Sequence, residues 1–197
     1  VEGLRPGDRV VGETSRGCGN CRMCRTGNYH LCDHHGNLAK GFRMYGFNYP
    51  GAFAEYVVRP PEALVKMPDT MSFEEGVAAH VLAQALHYVE RAGVYAGDDV
   101  AILGSGVQGL LVLQVARLKG ARRVFMSGRG ARLDVAKEFG ADEVFDYTRD
   151  DVTQRLLDLT DGMGMDVVFE CAGKAESMRI ASDATRMGGR IALIGIV

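Results

Sequence analysis

From about residue 98 onward, short apolar runs alternate with longer segments in which apolar residues recur every three or four positions. The runs within VAIL, RVFM and VVFE are typical of buried strands, and the segments between them predict helices. Strands are expected at 98–103, 122–128, 143–147, 165–173 and 188–197, and helices at 110–120, 131–140, 151–160 and 176–187. This order predicts an α/β fold with a parallel, doubly wound sheet.

The stretch before these strands predicts one long helix. Ser72 and Glu75 have the spacing of a capping box, and the chain is then rich in Ala, Leu and Val up to Ala92, before Gly93. We expect a mostly buried helix here.

The first 70 or so residues differ from the rest of the chain. Prolines at positions 60, 61 and 68 disfavour helix, and segments such as GAFAEYVVRP fit short strands and loops. The sequence therefore predicts two domains: an irregular, β-rich domain over 1–71 and a dinucleotide-binding domain over 72–197.

Composition restricts the class of protein. Hydrophobic residues make up 47% of the 197 residues, charged residues 24%, and the formal net charge is −2. This balance favours a soluble globular protein without affinity for nucleic acid. No apolar run approaches the roughly 20 residues that span a bilayer, so we expect no membrane contact and a cytoplasmic location.

Four of the five cysteines lie within residues 18–32, as Cys18, Cys21, Cys24 and Cys32. Disulfides are the alternative, but they suit small secreted chains. The spacing favours a structural zinc held by four thiolates, with no open coordination position for chemistry. The fifth cysteine, Cys171, follows an apolar run and is expected to be a core residue.

A glycine motif follows the first strand of the α/β region. The sequence LGSGVQG places Gly104, Gly106, Val107 and Gly109, the candidate cofactor-binding residues of this turn, between that strand and the helix expected at 110–120. In this context the motif predicts a dinucleotide site, with the pyrophosphate at the helix N-terminus. A glycine-rich turn without a ligand is the alternative.

The end of the next strand bears on the choice of cofactor. An acidic residue there would bind the ribose hydroxyls of NAD, but this chain has Ser127 and Arg129. A guanidinium near this position favours the 2′-phosphate of NADP over NAD. The alternative is that Arg129 is a solvated surface residue.

Taken in order, the cysteine cluster, GAFAEYV, SFEEG, LGSGVQG, KEFGAD and GGRIALIG resemble the zinc-dependent medium-chain dehydrogenase/reductase family, which includes alcohol, sorbitol and threonine dehydrogenases. The resemblance implies part of a GroES-like β domain carrying the structural zinc lobe, followed by an incomplete Rossmann domain. It implies reversible hydride transfer between a secondary alcohol or polyol and NAD(P), assisted by a second, catalytic zinc.

The resemblance also implies site residues and limits. His80 aligns with a position near the catalytic zinc, although a histidine with an ordinary hydrogen bond is the alternative. Cys171, Ala172 and Ile194 align with groups beside the nicotinamide. The family's upstream zinc ligands have no counterpart here, so the chain is expected to be an internal fragment without turnover of its own. Partners are expected to be an alcohol or ketone and, in the parent protein, one or three further subunits of a homo-dimer or homo-tetramer.

Two other functions remain open at this point. A zinc-free NADP-dependent quinone or enoyl reductase shares the two domains but lacks the cysteine cluster. A non-catalytic nucleotide-binding module would bind NADP without transferring hydride.

Overall fold

The chain forms two compact units that follow one another in sequence, and each is described by itself. The computed structural model describes residues 3–196. The first unit ends at His80 and the second begins at Val81, inside helix α2 (Phe73–Ala92). The predicted domain boundary between residues 71 and 72 stays a prediction; it lies immediately before this helix.

Short elements joined by loops make up the first unit. Strand β1 (Val10–Gly12) pairs antiparallel with β4 (Leu64–Lys66), and β2 (Ser15–Arg16) pairs antiparallel with β3 (Arg43–Met44). Helix α1 covers Arg22–Arg25, and single 3₁₀ turns cover Tyr29–Leu31, Leu38–Lys40 and Pro61–Ala63. The irregular, strand-containing character agrees with the prediction for this region.

One segment of the first unit differs from its prediction. Residues 50–59 contain no strand, although GAFAEYVV has strand-like composition. Phe53, Tyr56 and Val58 are exposed there. Strand propensity describes how well a side chain packs on a pleated surface, and among residues 3–196 no strand pairs with this segment.

Helix α2 begins with the predicted capping box. The Ser72 backbone N–H donates to Glu75 Oε2 at 2.7 Å, and the Glu75 backbone N–H donates to Ser72 Oγ at 3.1 Å. The prediction that the helix is mostly buried is wrong. Only Gly76, Ala85 and Val89 are buried in it, and several of its apolar residues, among them Val77, Leu82 and Leu86, are exposed.

A five-stranded parallel sheet forms the second unit. Its strands are β5 (Asp99–Leu103), β6 (Arg123–Gly128), β7 (Glu143–Asp146), β8 (Met165–Glu170) and β9 (Thr185–Leu193), in the spatial order β7-β6-β5-β8-β9. The helices between them are α3 (Val107–Leu118), α4 (Arg132–Glu138), α5 (Val152–Asp158) and α6 (Ala175–Ala184). In the part of the chain that the structure describes, no helix combines the length and apolarity needed to cross a membrane.

Side chains of each strand alternate between two cores, one on either face of the sheet. Val100 and Ile102 of β5 pack in one core with residues of α2, α3 and α4, whereas Ala101 and Leu103 pack in the other with residues of α5 and α6. Both faces are therefore covered by helices, as the alternating apolar pattern predicts. The strand order reverses at β5, so a crevice opens at the carboxyl ends of the strands beside it.

The last helix ends before its predicted end. Residues 185–187 were expected to continue α6, but they begin β9, where Thr185 lies opposite Met165 of β8. A register shift follows, and Val167 then lies opposite Arg190. The β-branched Thr185 gains a strand partner at this point, so pairing with β8 outweighs the helical pattern of the sequence.

Candidate functional site

The four clustered cysteines bring their sulfur atoms together. All four Sγ atoms lie within 4.8 Å of one another, with 4.0 Å between Cys18 and Cys24 and 3.9 Å between Cys21 and Cys32. A tetrahedral zinc with Zn–S bonds of roughly 2.3 Å separates its sulfurs by roughly 3.8 Å. The cluster therefore has the dimensions of a four-thiolate zinc site.

Backbone amides point at these sulfurs. Cys18 Sγ accepts hydrogen bonds from the N–H groups of Asn20 and Cys21, and Cys21 Sγ accepts one from Cys24, all at 3.4 Å. The Cys21 side chain thereby also caps the N-terminus of α1. Cys32 Sγ accepts two more, from the N–H groups of Cys18 and His34, again at 3.4 Å. Donors in these positions stabilise negative charge on sulfur, which favours thiolate ligands over thiols.

His34 touches the cluster through its ring. Its Nδ1 atom lies 3.3 Å from Cys18 Sγ. This contact is the largest cause of a lowered pKa at Cys18, to about 5, and the backbone N–H groups lower it further. Cys24 has the opposite environment, since burial raises the pKa of its thiol to about 12. A bound dication would stabilise the thiolate form of all four residues.

Packing around the cluster also fits a metal site. A Cβ atom on Gly17 would lie 2.5 Å from Cys24 Sγ, so only glycine leaves that sulfur in place. The four thiolates fill a tetrahedral coordination shell, and such a site has no open position for substrate. The residues present therefore fit a structural zinc that holds the loop together.

Among residues 3–196 no second group of three or more histidine, cysteine, aspartate or glutamate side chains converges as these cysteines do. His80 lies in α2, partly buried, and is not among the side chains that meet at the cysteine cluster. The residues described here do not form a catalytic zinc site, and the role of His80 stays a prediction.

The glycine motif forms a tight turn between β5 and α3. Gly104 has φ +119°, and its backbone N–H donates to the Ser127 carbonyl at 2.8 Å. A Cβ on Gly104 would lie 3.0 Å from Ala172 N, and a Cβ on Gly109 would lie 1.9 Å from Gly104 O. Both glycines are therefore required by close backbone contacts.

Gly106 has a different environment. A Cβ there would meet nothing within 4 Å, because the residue faces open space at the N-terminus of α3. Gly106 is the N-cap, and Val107 is the first residue of this 12-residue helix. The first N–H groups of a helix have no acceptor within it, and together with the helix dipole they favour an anion such as a pyrophosphate.

A cleft opens beside this turn at the carboxyl ends of the strands. Residues from four strand ends and from α6 line it: Leu103, Gly104, Ser127, Tyr147, Ala172, Lys174, Glu176, Ser177 and Ile180. Lys174 Nζ lies 5.3 Å from the centre of the Tyr147 ring. The position matches the ligand crevice of doubly wound sheets, where the strand order reverses.

The end of β6 carries no acidic side chain toward the cleft. Ser127 lines the cleft, and a Cβ on Gly128 would lie 2.1 Å from Ser105 Oγ, so position 128 is restricted to glycine. Arg129 is exposed immediately after the strand. The pKa of Asp146 is lowered mainly by hydrogen bonds from Thr148, and Arg129 contributes a smaller effect. The positive charge of Arg129 therefore helps to lower the pKa of Asp146 at the end of the neighbouring strand β7.

The other predicted contacts lie in the turn after β8 and directly after β9. Ala172 lines the cleft, whereas Cys171 and Ile194 pack partly against the core under α2 and α3. The Cys171 N–H donates to Leu103 O at 2.8 Å, and burial raises the pKa of its thiol to about 12. This agrees with the prediction that Cys171 is a core residue.

Two residues of these sites were missed by sequence reasoning. His34 was expected to be a loop residue beside the cysteine cluster, and its place two positions after Cys32 was the available signal. Glu170 was read as part of a strand, but its buried carboxylate holds the turn after β8. A charged residue at the end of an otherwise apolar strand was the signal there.

Comparison with known proteins covers both units. The family profile described as alcohol dehydrogenase GroES-like domain matches residues 1–69, and the profile described as zinc-binding dehydrogenase matches residues 108–197. The chain spans about half the length of the curated relatives that it matches, 54% in the case of L-threonine 3-dehydrogenase from Pyrococcus horikoshii.

Individual relatives agree with these profiles. The P. horikoshii enzyme is 36% identical over 197 residues, all of this chain. A sorbitol dehydrogenase from Halalkalibacterium halodurans is 34% identical over all of this chain and 56% of its own length. A putative zinc-binding dehydrogenase from Sinorhizobium meliloti, solved bound to NADP, has a TM-score of 0.90 and 36% identity over all of this chain and 56% of its own. The sequence motifs, the fold and these similarities together show that the chain belongs to the zinc-dependent medium-chain dehydrogenase/reductase family.

Proposed function

We propose that the chain is the structural-zinc and dinucleotide-binding portion of an NADP-dependent alcohol dehydrogenase. The reaction would be reversible hydride transfer between a secondary alcohol or polyol and the nicotinamide. The observation that carries this proposal is the cleft beside the Gly104 turn, where α3 begins. The names of the relatives, which include threonine and sorbitol dehydrogenases, support small hydroxylated substrates of this class.

The residues at the end of β6 support NADP over NAD. An acidic residue at this position would repel a 2′-phosphate, and here Ser127 and Gly128 leave the position uncharged. Arg129 follows directly and is free of the strand, so it can bind the phosphate in a bidentate manner. Glu176 is the acidic side chain that lines the cleft, and it belongs to α6 rather than to this strand end.

Calorimetry with NADP and NAD tests the cofactor preference. Arg129→Ala should weaken NADP binding about tenfold, as expected for loss of a charge-assisted contact, and leave NAD binding unchanged. Arg179→Ala is the matched control, since Arg179 is another exposed arginine but lies in α6 and not directly after β6. Equal binding of NADP and NAD by the unsubstituted chain would contradict the preference.

The proposed catalytic zinc would supply Lewis-acid polarisation of the alcohol oxygen. His80 is proposed to lie near that metal, but no ligand cluster for it is present among residues 3–196, so no step is assigned to these residues. We expect the 197-residue chain alone to bind nucleotide without oxidising alcohols. Alcohol-dependent NADPH formation by this chain would overturn that expectation.

Metal analysis of the purified chain distinguishes a zinc-dependent dehydrogenase from a zinc-free quinone or enoyl reductase. One zinc per chain and four thiols released by chelation are expected from the geometry of the cysteine cluster. Absence of metal together with paired cysteines would remove the main support for the zinc lobe. A nucleotide-binding module without catalysis would show the same metal content but no hydride transfer in any longer form of the protein.

A further inference from the structure

A buried carboxylate lies at the carboxyl end of β8, next to the cleft. Glu170 has no exposed surface, although it carries a potential charge at the end of a strand. Glutamate is almost never fully buried unless it is hydrogen-bonded or paired, and here Oε1 carries the hydrogen bonds, whereas Oε2 is buried without a hydrogen-bond partner among the described residues. The contacts of this side chain therefore indicate what it does for the surrounding backbone.

One carboxylate oxygen holds the turn that follows the strand. Glu170 Oε1 accepts hydrogen bonds from Ala172 N and Gly173 N, both at 2.8 Å, and from Ser177 Oγ at 2.6 Å. A carboxylate that accepts several N–H and O–H donors is bound strongly at each of them. The turn is thereby fixed to the start of α6.

The same residue also binds the end of β9. The Glu170 carbonyl accepts hydrogen bonds from Ile194 N at 2.8 Å and Gly195 N at 3.0 Å. A Cβ on Gly195 would lie 2.6 Å from Glu170 Oε2 and 2.1 Å from Gly173 N. The two strand ends are therefore in direct contact, with the Glu170 side chain packed between them.

The turn held in this way is one wall of the cleft. Ala172 and Ser177 both line the cleft. The backbone of Ala172 also abuts the Gly104 turn, since a Cβ on Gly104 would lie 3.0 Å from Ala172 N. A shift of the turn after β8 would therefore change the width of the cleft at the point where the pyrophosphate is expected.

We propose that Glu170 is a positioning residue for the nucleotide site: it fixes the turn at residues 171–173 against the ends of β8 and β9 and so sets the cleft for the dinucleotide. This inference rests on the proposed function, because it assumes that the cleft binds NADP. The placement of the acceptor atom Oε1 against its three donors is the property that fixes the turn.

The test is NADP binding by calorimetry at 10 °C, with thermal unfolding recorded for every variant of the full 197-residue chain. Glu170→Gln keeps an acceptor oxygen at the same distance, so its affinity should stay within about threefold of the original. Glu170→Ala removes the acceptor, and Glu170→Asp keeps the charge but is one methylene shorter. Both should weaken NADP binding by at least about tenfold, since three donors lose their acceptor.

Asp99→Asn is the matched control for general loss of stability. Asp99 is also a buried carboxylate, but it lies at the opposite end of β5 and is paired with Arg122 and Arg123. This variant should unfold at a lower temperature and bind NADP within about twofold of the original chain. Glu170→Asp serves in place of Glu170→Ala if the alanine variant does not fold.

The outcomes are distinct. Glu170→Asp or Glu170→Ala binding NADP as tightly as the original chain would overturn the inference. Loss of binding in Asp99→Asn to the same extent at the same loss of stability would also overturn it. Failure of the unsubstituted chain to bind any nicotinamide nucleotide would instead refute the proposed function.

Discussion

Replacing Gly109 with alanine should separate α3 from the end of β5, whereas the same replacement at Gly106 should leave the fold intact. The two glycines are three residues apart in one motif. At position 109 the new Cβ would lie 1.9 Å from Gly104 O, and at position 106 it would meet nothing within 4 Å. Neither residue has a positive φ, so the difference between them is one of space.

The magnitude follows from that contact. A carbon atom and a carbonyl oxygen settle at roughly 3.3 Å or more, so the helix and the turn must move apart by over about 1 Å. Overpacking of this kind costs about 1–3 kcal/mol, and both atoms belong to rigid backbone, so we expect about 3 kcal/mol. For a chain of this size that loss lowers the melting temperature by about 6–12 °C. Gly106→Ala should cost about 1 kcal/mol or less, since alanine is a poorer N-cap than glycine.

Binding should respond differently from stability. Gly106→Ala places a methyl group where the pyrophosphate approaches the helix N-terminus, so NADP affinity should fall at least about tenfold with little change in melting temperature. Circular dichroism melts and calorimetry on both variants provide the comparison. The reasoning would be refuted by a Gly109→Ala chain that melts within about 2 °C of the original, or by a Gly106→Ala chain that loses as much stability as Gly109→Ala.

Three further predictions concern other parts of the chain. Cys32→Ser should bind less zinc than the original chain, and its first unit should become sensitive to proteolysis, as checked by metal analysis and limited digestion. Asp99→Asn should lower the unfolding free energy by about 2 kcal/mol at pH 7, since its two arginine partners are partly exposed. Burial raises the pKa of Asp99, but hydrogen bonds from Arg123 and Arg122 lower it further, so the net pKa lies below the ordinary value. A lowered pKa stabilises the fold above the unfolded-state pKa, so the difference between the two chains should shrink as the pH falls below about 4 in denaturant titrations. Cys171 should react slowly with a disulfide reagent at pH 8, because a pKa of about 12 leaves roughly one thiolate in ten thousand, and rapid labelling of the folded chain would contradict the burial of this thiol.

Features built from neighbouring residues could be predicted from the sequence. The cysteine cluster lies within residues 18–32, and its spacing alone defines which sulfurs meet. The Gly104–Gly109 turn likewise depends on a strand, a turn and a helix that follow directly in sequence. The capping box of α2 joins Ser72 and Glu75 by two short hydrogen bonds. In each case the interacting groups are close in the chain, so local pattern was sufficient.

Features that depend on distant partners could not be predicted. The end of α6 is set by the pairing of Thr185 with Met165. The exposure of much of α2 depends on which of its faces packs against another element. The role of Glu170 requires the ends of β8 and β9 to meet, which hydrophobic periodicity does not encode. Sequence reasoning therefore located the cleft and its glycines but not the carboxylate that supports its wall.

The local character of the cysteine cluster has a consequence for the order of folding. Its four ligands close a loop within residues 18–32, whereas the central strand β5 must pair with β8, and Val100 lies opposite Val167. Closing a short loop takes far less time than forming parallel pairs between distant segments. In a refolding experiment, zinc uptake should therefore be complete early, while the nucleotide cleft, which needs four strand ends in place, should be assembled last.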